Sequence, residues 1–263
     1  MGKIIAVAQH KGGTAKTTTC INLGASLCGM GKCVLLIDFD PQASLTLSLG
    51  IDPLEIEKSI HHVLVDPEVD VKDVVQESSI PNLFVVPSHI DLAMVDLELA
   101  GKIGREKTLQ KKLLPVVDRY DFVLIDCPPT LGILTVNALT AAQSVLIPIQ
   151  CEPLTLYGAK HLLQIIGLVR EETNAGLQIE GVLRTMYDKR AKIAREVCDS
   201  IEQTFGDLVF ETIIHKRVKF AEGPVAQAPI TQYASKSPGA EEYRNLAKEL
   251  LDHEIREVQA KRS

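Results

Sequence analysis

The chain has 263 residues, 46% of them hydrophobic but only 4% aromatic, and a formal net charge of −6. That length allows one large α/β domain or two small ones, and the aliphatic bias suits a parallel sheet covered on both faces. The acidic balance excludes a wholly basic nucleic-acid binder and leaves room for a local basic patch.

The first expected strand is Lys3–Gln9, with no signal peptide ahead of it. It runs into the loop His10–Thr19, which holds Gly12, Gly13 and two lysines, Lys11 and Lys16. Apolar residues at helical spacing follow over Cys20–Leu27. Strand, glycine loop, helix is the setting of a phosphate-binding loop. Gly12 and Gly13 let the backbone approach a phosphate, and the positive end of the next helix backs the loop. Lys16 reaches toward the β- and γ-phosphates and Thr17 offers its hydroxyl to Mg²⁺. The strict Gly-x-x-x-x-Gly-Lys-Thr pattern is not met. His10 and Ala15 stand where its two glycines would be.

Cys33–Ile37 reads as a buried strand that ends in Asp38-Phe39-Asp40-Pro41-Gln42. Carboxylates at the C-terminal end of a parallel strand lie where such sheets bind ligands. Taken alone, Asp38 and Asp40 could equally be strand-end turn residues. A helix is expected from Pro53 to Val65, and a short one over Val69–Val75. A strand follows at Asn82–Pro87, then a helix over Ile90–Ala100 capped by Ser88, and a helix at Arg105–Leu114. Asp121–Asp126 is an apolar run ending in a carboxylate, the Walker B pattern. It supplies Asp126 to help hold Mg²⁺. Next come a helix at Leu134–Ala142, a strand at Ser144–Gln150 and a helix at Thr155–Arg170. Then follow a strand at Leu177–Met186, a helix at Lys189–Gln203 and a short strand at Leu208–Phe210. Residues 214–238 read mostly as loop, and Glu241–Lys261 as a terminal helix. No linker or internal repeat interrupts the chain, so residues 1–263 are expected to form one domain, α/β with a mostly parallel twisted sheet.

A basic set recurs late in the chain: Arg184, Lys189, Arg190, Lys192, Arg195, Lys216, Arg217 and Lys219. Positions 189, 192 and 195 share roughly one helix face. Asp188, Glu196 and Asp199 could balance that face as ordinary solvated charge. The six cysteines form no CxxC pair and sit mostly in apolar runs, which suits buried thiols in a reducing cytosol.

Lys-Gly-Gly-x-x-Lys-Thr-Thr, with Asp-x-Asp-Pro-Gln and the strand ending in Asp126-Cys127-Pro128-Pro129, resembles the ParA/MinD family of deviant Walker A ATPases. Lys11 supplies the extra lysine that marks that loop. The likeness spans nearly the whole chain and is greatest to the short, Soj-like chromosomal ParA proteins. It implies a Mg²⁺-dependent ATPase, with ATP held by Lys11, Gly12, Gly13, Thr14, Ala15, Lys16, Thr17 and Thr18, and Met186 near the adenine. Asp40 would orient the attacking water. Asp38 and Asp126 would lie in or near the Mg²⁺ shell with Thr17.

The resemblance further implies an ATP-dependent homodimer in which Lys11 reaches the partner's phosphates. It implies nonspecific double-stranded DNA contacts at Arg190, Lys216 and Lys219. A ParB-type centromere-binding protein would stimulate hydrolysis, and the setting would be cytoplasmic and nucleoid-associated. Other members position other cargo, and MinD-like members bind membranes through a C-terminal amphipathic helix. The tail here, Leu246–Val258, is poor in bulky apolar residues and mixes in acids, so it is expected to pack on its own domain. An iron–sulfur protein of the nitrogenase type would need a differently placed cysteine than Cys127. A nucleotide-binding scaffold without turnover would not need Lys11 and Asp40.

Overall fold

The computed structural model describes residues 2–153 and 155–260. Its strands are β1 (Lys3–Val7), β2 (Val34–Asp38), β3 (Gln76–Glu77), β4 (Leu83–Val86), β5 (Phe122–Asp126), β6 (Ser144–Gln150), β7 (Gln178–Tyr187) and β8 (Val209–His215). They form one eight-stranded sheet in the order β3-β4-β2-β5-β1-β6-β7-β8. Every neighbouring pair is parallel except the short edge pair β3–β4.

Strand periodicity sorts the core into two layers. Ile4, Leu35, Ile37, Val123, Ile125, Val145 and Ile147 face one cluster, with the helices Ile60–Val65, Thr108–Leu113, Ile133–Ala141 and Thr155–Glu172. Their strand neighbours Ile5, Val7, Val34, Leu36, Phe122, Leu124 and Leu146 face the other. That second layer is closed by the helix Lys16–Cys28 and the terminal helix Pro238–Ala260. Gly24 lets the first helix lie close to the sheet, because a Cβ there would stand 2.9 Å from Leu36 Cδ2. Tyr243, Leu246, Ala247 and Leu250 of the terminal helix are fully buried. Its start precedes the expected one, and Lys261 lies outside the described residues. No helix among the described residues is long and apolar enough to cross a membrane.

Several expected elements differ. The helix over Pro53–Val65 is split into a 3₁₀ turn, Pro53–Glu55, and the helix Ile60–Val65. Asp52 caps the first, accepting from Leu54 N at 2.9 Å, and at the start of the second the His62 ring Nδ1 accepts from Ser59 N at 3.1 Å. Val69–Val75 holds only a turn, Val71–Asp73, and Ile90–Ala100 shortens to a turn plus Val95–Glu98. His89, not Ser88, caps it. The Ser88 hydroxyl instead donates to the Asp40 carbonyl at 2.8 Å. The expected helix Arg105–Leu114 is helical only over Thr108–Leu113, after a turn at Arg105–Lys107. The last strand is longer than expected, and residues 214–238 contain two helices, Lys219–Ala226 and Ile230–Tyr233.

Candidate nucleotide-binding site

The loop after β1 turns back through two left-handed residues, Gly13 at φ 73° and Ala15 at φ 68°. Ala15 is the residue before the helix Lys16–Cys28, and no side chain caps that helix. Its first turn also holds no acid. The leading N–H groups and the positive end of a 13-residue helix therefore face the cavity with no protein partner supplied by a cap. This is the chemistry that holds a phosphate.

Ala15, which stands where the strict pattern has a glycine, occupies the left-handed region despite its Cβ. A Cβ there costs about 1–2 kcal/mol, offset in part because alanine restricts the unfolded chain. Ala15→Gly is therefore expected to stabilise the nucleotide-free protein slightly, by roughly 0.5–1 kcal/mol, read from urea unfolding midpoints. A loss of stability would show that the left-handed turn is not strained.

Neighbouring strands pin the loop. Gln150, at the end of β6, donates to the Gly13 carbonyl, and Thr185 Oγ1 donates to the Thr14 carbonyl at 3.1 Å. Lys16 is buried, its Nζ 3.4 Å from the Lys11 carbonyl. Burial pulls its ammonium below the usual range, and Asp126 opposes that shift most strongly.

Asp38 and Asp126 stand side by side in register at the ends of β2 and β5. Thr17 Oγ1 donates to Asp126 Oδ2 at 2.6 Å. Asp126 Oδ1 is buried with no hydrogen-bond partner. Burial, and then the Asp38 charge, raise the Asp126 carboxyl well above the ordinary carboxylate range. A hydroxyl and an orphaned carboxylate oxygen, beside a second acid, fit a hard divalent cation with water in its shell. Asp38 is more committed. Its Oδ2 accepts from Thr46 N at 2.8 Å and Thr46 Oγ1 at 2.6 Å.

Burial pushes the Asp38 carboxyl from 3.8 up to about 6, against the pull of the Thr46 bonds. A raised carboxyl binds its proton more tightly in the folded state. It adds stability below 3.8 and loses it as pH climbs to about 6. The thermal stability of the nucleotide-free protein, taken relative to Asp38→Asn, is expected to fall across that window. A constant difference between the two proteins would contradict the shift.

A cavity of about 360 Å³ opens over the loop. Gly12, Gly13, Thr14, Ala15, Lys16, Thr17 and Thr18 line it, with Asp40 beside them. Asp40 Oδ1 accepts from Gln42 N at 3.0 Å. Met186, Phe220, Pro224 and Tyr233 add apolar surface to the lining. Met186 is held at φ 53°. The Tyr233 hydroxyl donates to the Lys219 carbonyl at 2.6 Å, and Asn22 Oδ1 accepts from Ile230 N at 2.7 Å. These bonds tie both late helices to the site. Gln150, Phe220 and Tyr233 were not singled out from the sequence.

Lys11 is not part of this cavity lining. Its Nζ donates to Gln150 Oε1 at 3.1 Å and lies 3.6 Å from Glu152 Oε2.

The structure divides the basic set. Arg184 is buried, paired with Glu202 and donating to the Phe210 carbonyl at 2.8 Å. Arg217 pairs with Glu242 at 2.5 Å. Arg184 belongs to internal packing, whereas Arg217 is half-buried and engaged by Glu242. Arg190 is exposed and pairs with Asp188 at 3.1 Å, and Lys219 pairs with Glu222 at 3.5 Å. Lys216 is exposed, its backbone N–H bonded to the Tyr187 carbonyl at 3.0 Å. That bond brings the end of β8 beside the end of β7, two residues after which Lys189 and Arg190 begin a cationic rim.

A glycine-bearing loop between strand and uncapped helix, closing over strand-end carboxylates, defines a P-loop nucleotide site. Residues 2–179 match the AAA domain family. The chain is 46% identical over 250 residues to the sporulation initiation inhibitor protein Soj of Bacillus subtilis, covering 95% of this chain and 98% of Soj. It is 40% identical over 261 residues to the chromosome partitioning protein ParA of Caulobacter vibrioides, covering 98% and 97%. Among solved structures it resembles a cobyrinic acid a,c-diamide synthase from Mycobacterium smegmatis with bound ATP analogue and magnesium. That match has a TM-score of 0.85 at 37% identity and covers 96% of each chain. The chain belongs to the Soj/ParA family of partitioning ATPases.

Proposed function

We propose that residues 1–263 form one ATPase domain that works as an ATP-gated DNA-binding switch in chromosome or plasmid partition. Mg-ATP lies in the cavity, its phosphates on the backbone from Gly12 to Thr18 and on Lys16. Its adenine sits against the apolar lining of Met186, Phe220 and Tyr233. Thr17 and Asp126 hold Mg²⁺, and Asp38, engaged by Thr46, adds negative charge behind them. The ion, when bound, neutralises charge on the phosphates. Asp40, free on one oxygen and at the cavity wall, orients the attacking water. Lys11, held by Gln150 and Glu152 and not among the residues that line its own cavity, serves the nucleotide of a second subunit in a face-to-face dimer.

One observation carries the DNA reading. The helix Lys219–Ala226 turns Phe220 and Pro224 into the cavity while Lys219 stands on the exposed basic rim. Nucleotide occupancy and the cationic surface thus share one helix. Arg190, Lys216 and Lys219 contact phosphates of nonspecific double-stranded DNA. A ParB-type partner stimulates hydrolysis and releases the dimer from the nucleoid.

Retention on random-sequence duplex DNA, measured with ATP, with ADP and without nucleotide over a salt series, tests this. ATP-dependent retention is expected, with a log–log salt slope of roughly −5 for six phosphate contacts per dimer. Arg190→Ala is expected to make the slope shallower. Equal retention in all three states would refute the switch, and nucleotide-dependent binding to anionic liposomes in its place would point to a membrane cycle.

A further inference from the structure

Cys151 and Cys198 are distant in sequence, yet their Sγ atoms meet at 2.8 Å. Cys151 directly follows β6, and its backbone N–H donates to the Thr185 carbonyl at 3.0 Å. Cys198 projects from the helix Lys192–Phe205. Tyr187 and Ala191 pack around the pair and Ala194 completes the cluster. All six cysteines are free thiols, and no other pair of them is in sulfur–sulfur contact among the described residues.

We infer that Cys151 and Cys198 form an oxidisable dithiol, a modification site that closes to an intramolecular disulfide on reaction with a small hydroperoxide. The sulfurs already touch, so closure needs little movement of β6 or the helix. Cys198 is the more accessible of the two, 6% exposed against 2% for Cys151. Cys198 is therefore the attacking sulfur. Its thiolate displaces one oxygen of hydrogen peroxide as hydroxide, which takes up a proton to leave as water, and becomes a sulfenic acid. The Cys151 sulfur then attacks that sulfur, the S–S bond forms, and the second oxygen leaves as water. Two thiols lose two electrons, and the peroxide gains them.

The site adjoins the nucleotide loop. Gln150, next to Cys151, donates to the Gly13 carbonyl, and Thr185, which pairs with Gln150 in the sheet and accepts from Cys151 N, donates to that of Thr14. The cross-link staples this support to the helix that carries the exposed Lys192 and Arg195.

The test treats the full-length protein with hydrogen peroxide, blocks the remaining thiols with an alkylating agent and maps unreduced peptides by mass spectrometry. The expected product is one peptide pair joining Cys151 to Cys198, lighter by two hydrogens and split by dithiothreitol. The oxidised chain is expected to melt several degrees higher than the reduced one. Cys198→Ser is expected to abolish the cross-link, whereas Cys28→Ser leaves it intact. Peptide mapping of the unsubstituted chain needs no variant to fold. Both thiols still alkylated after peroxide in folded protein would overturn the inference. So would Cys198 driven to sulfinic acid without a cross-link, or cross-links only between chains.

Discussion

Lys11→Ala is expected to lower ATP turnover by roughly 10³- to 10⁵-fold, the range for a cation supplied to a transferring phosphoryl group. The side chain is not part of its own cavity's lining and is held by Gln150 at 3.1 Å and Glu152 at 3.6 Å. The side chain is 38% exposed and that of Glu152 46%, so removing it leaves no unpaired buried charge and the fold is expected to survive. ATP affinity of the isolated subunit changes little, because the loop backbone and Lys16 remain. The signature is thus a turnover defect with nearly normal nucleotide binding. Steady-state phosphate release at saturating ATP, beside fluorescent-nucleotide titration, separates the two. Unchanged turnover would remove Lys11 from the chemistry and leave it a structural partner of Gln150.

Asp40→Ala is expected to slow hydrolysis by roughly 10²- to 10⁴-fold, as loss of a group that positions or deprotonates the nucleophile does. Asp40 lines the cavity, and its carboxylate has one internal backbone partner, Gln42 N at 3.0 Å. The Ser88 hydroxyl holds the Asp40 carbonyl and so keeps the loop in place without its side chain. ATP binding should persist, and the variant should accumulate in its ATP form. Single-turnover chemistry at a normal rate would assign Asp40 to the turn alone.

Much of this site was legible because it is local. Lys3 to Thr19 carry strand, loop and helix start in one run, and Asp38, Asp40 and Asp126 end apolar strands where parallel sheets bind ligands. The left-handed turn at Ala15 was not legible, because alanine gives no hint of positive φ. The apolar lining of the cavity was missed for a different reason. Residues 214–238 read mostly as loop, and the helix found there contains Gly223 and Pro224, both poor helix formers. Tertiary contacts override them. Phe220 meets Tyr243 edge-on at 5.7 Å, and the Tyr233 hydroxyl anchors the first residue of the helix. Charge was similarly ambiguous. Arg184 and Arg217 look like their exposed neighbours in sequence, and only folding brings Glu202 and Glu242 to them. The Cys151–Cys198 contact has no sequence signature at all, since its partners are brought together by sheet order.

The most direct measurement is the solution mass of Asp40→Ala, by light scattering, with Mg-ATP, with Mg-ADP and without nucleotide. Twice the chain mass with Mg-ATP alone, and a monomer otherwise, is the outcome required of an ATP-gated switch whose Lys11 serves a second subunit. One mass in all three states, with nucleotide binding confirmed in the same samples, would contradict it.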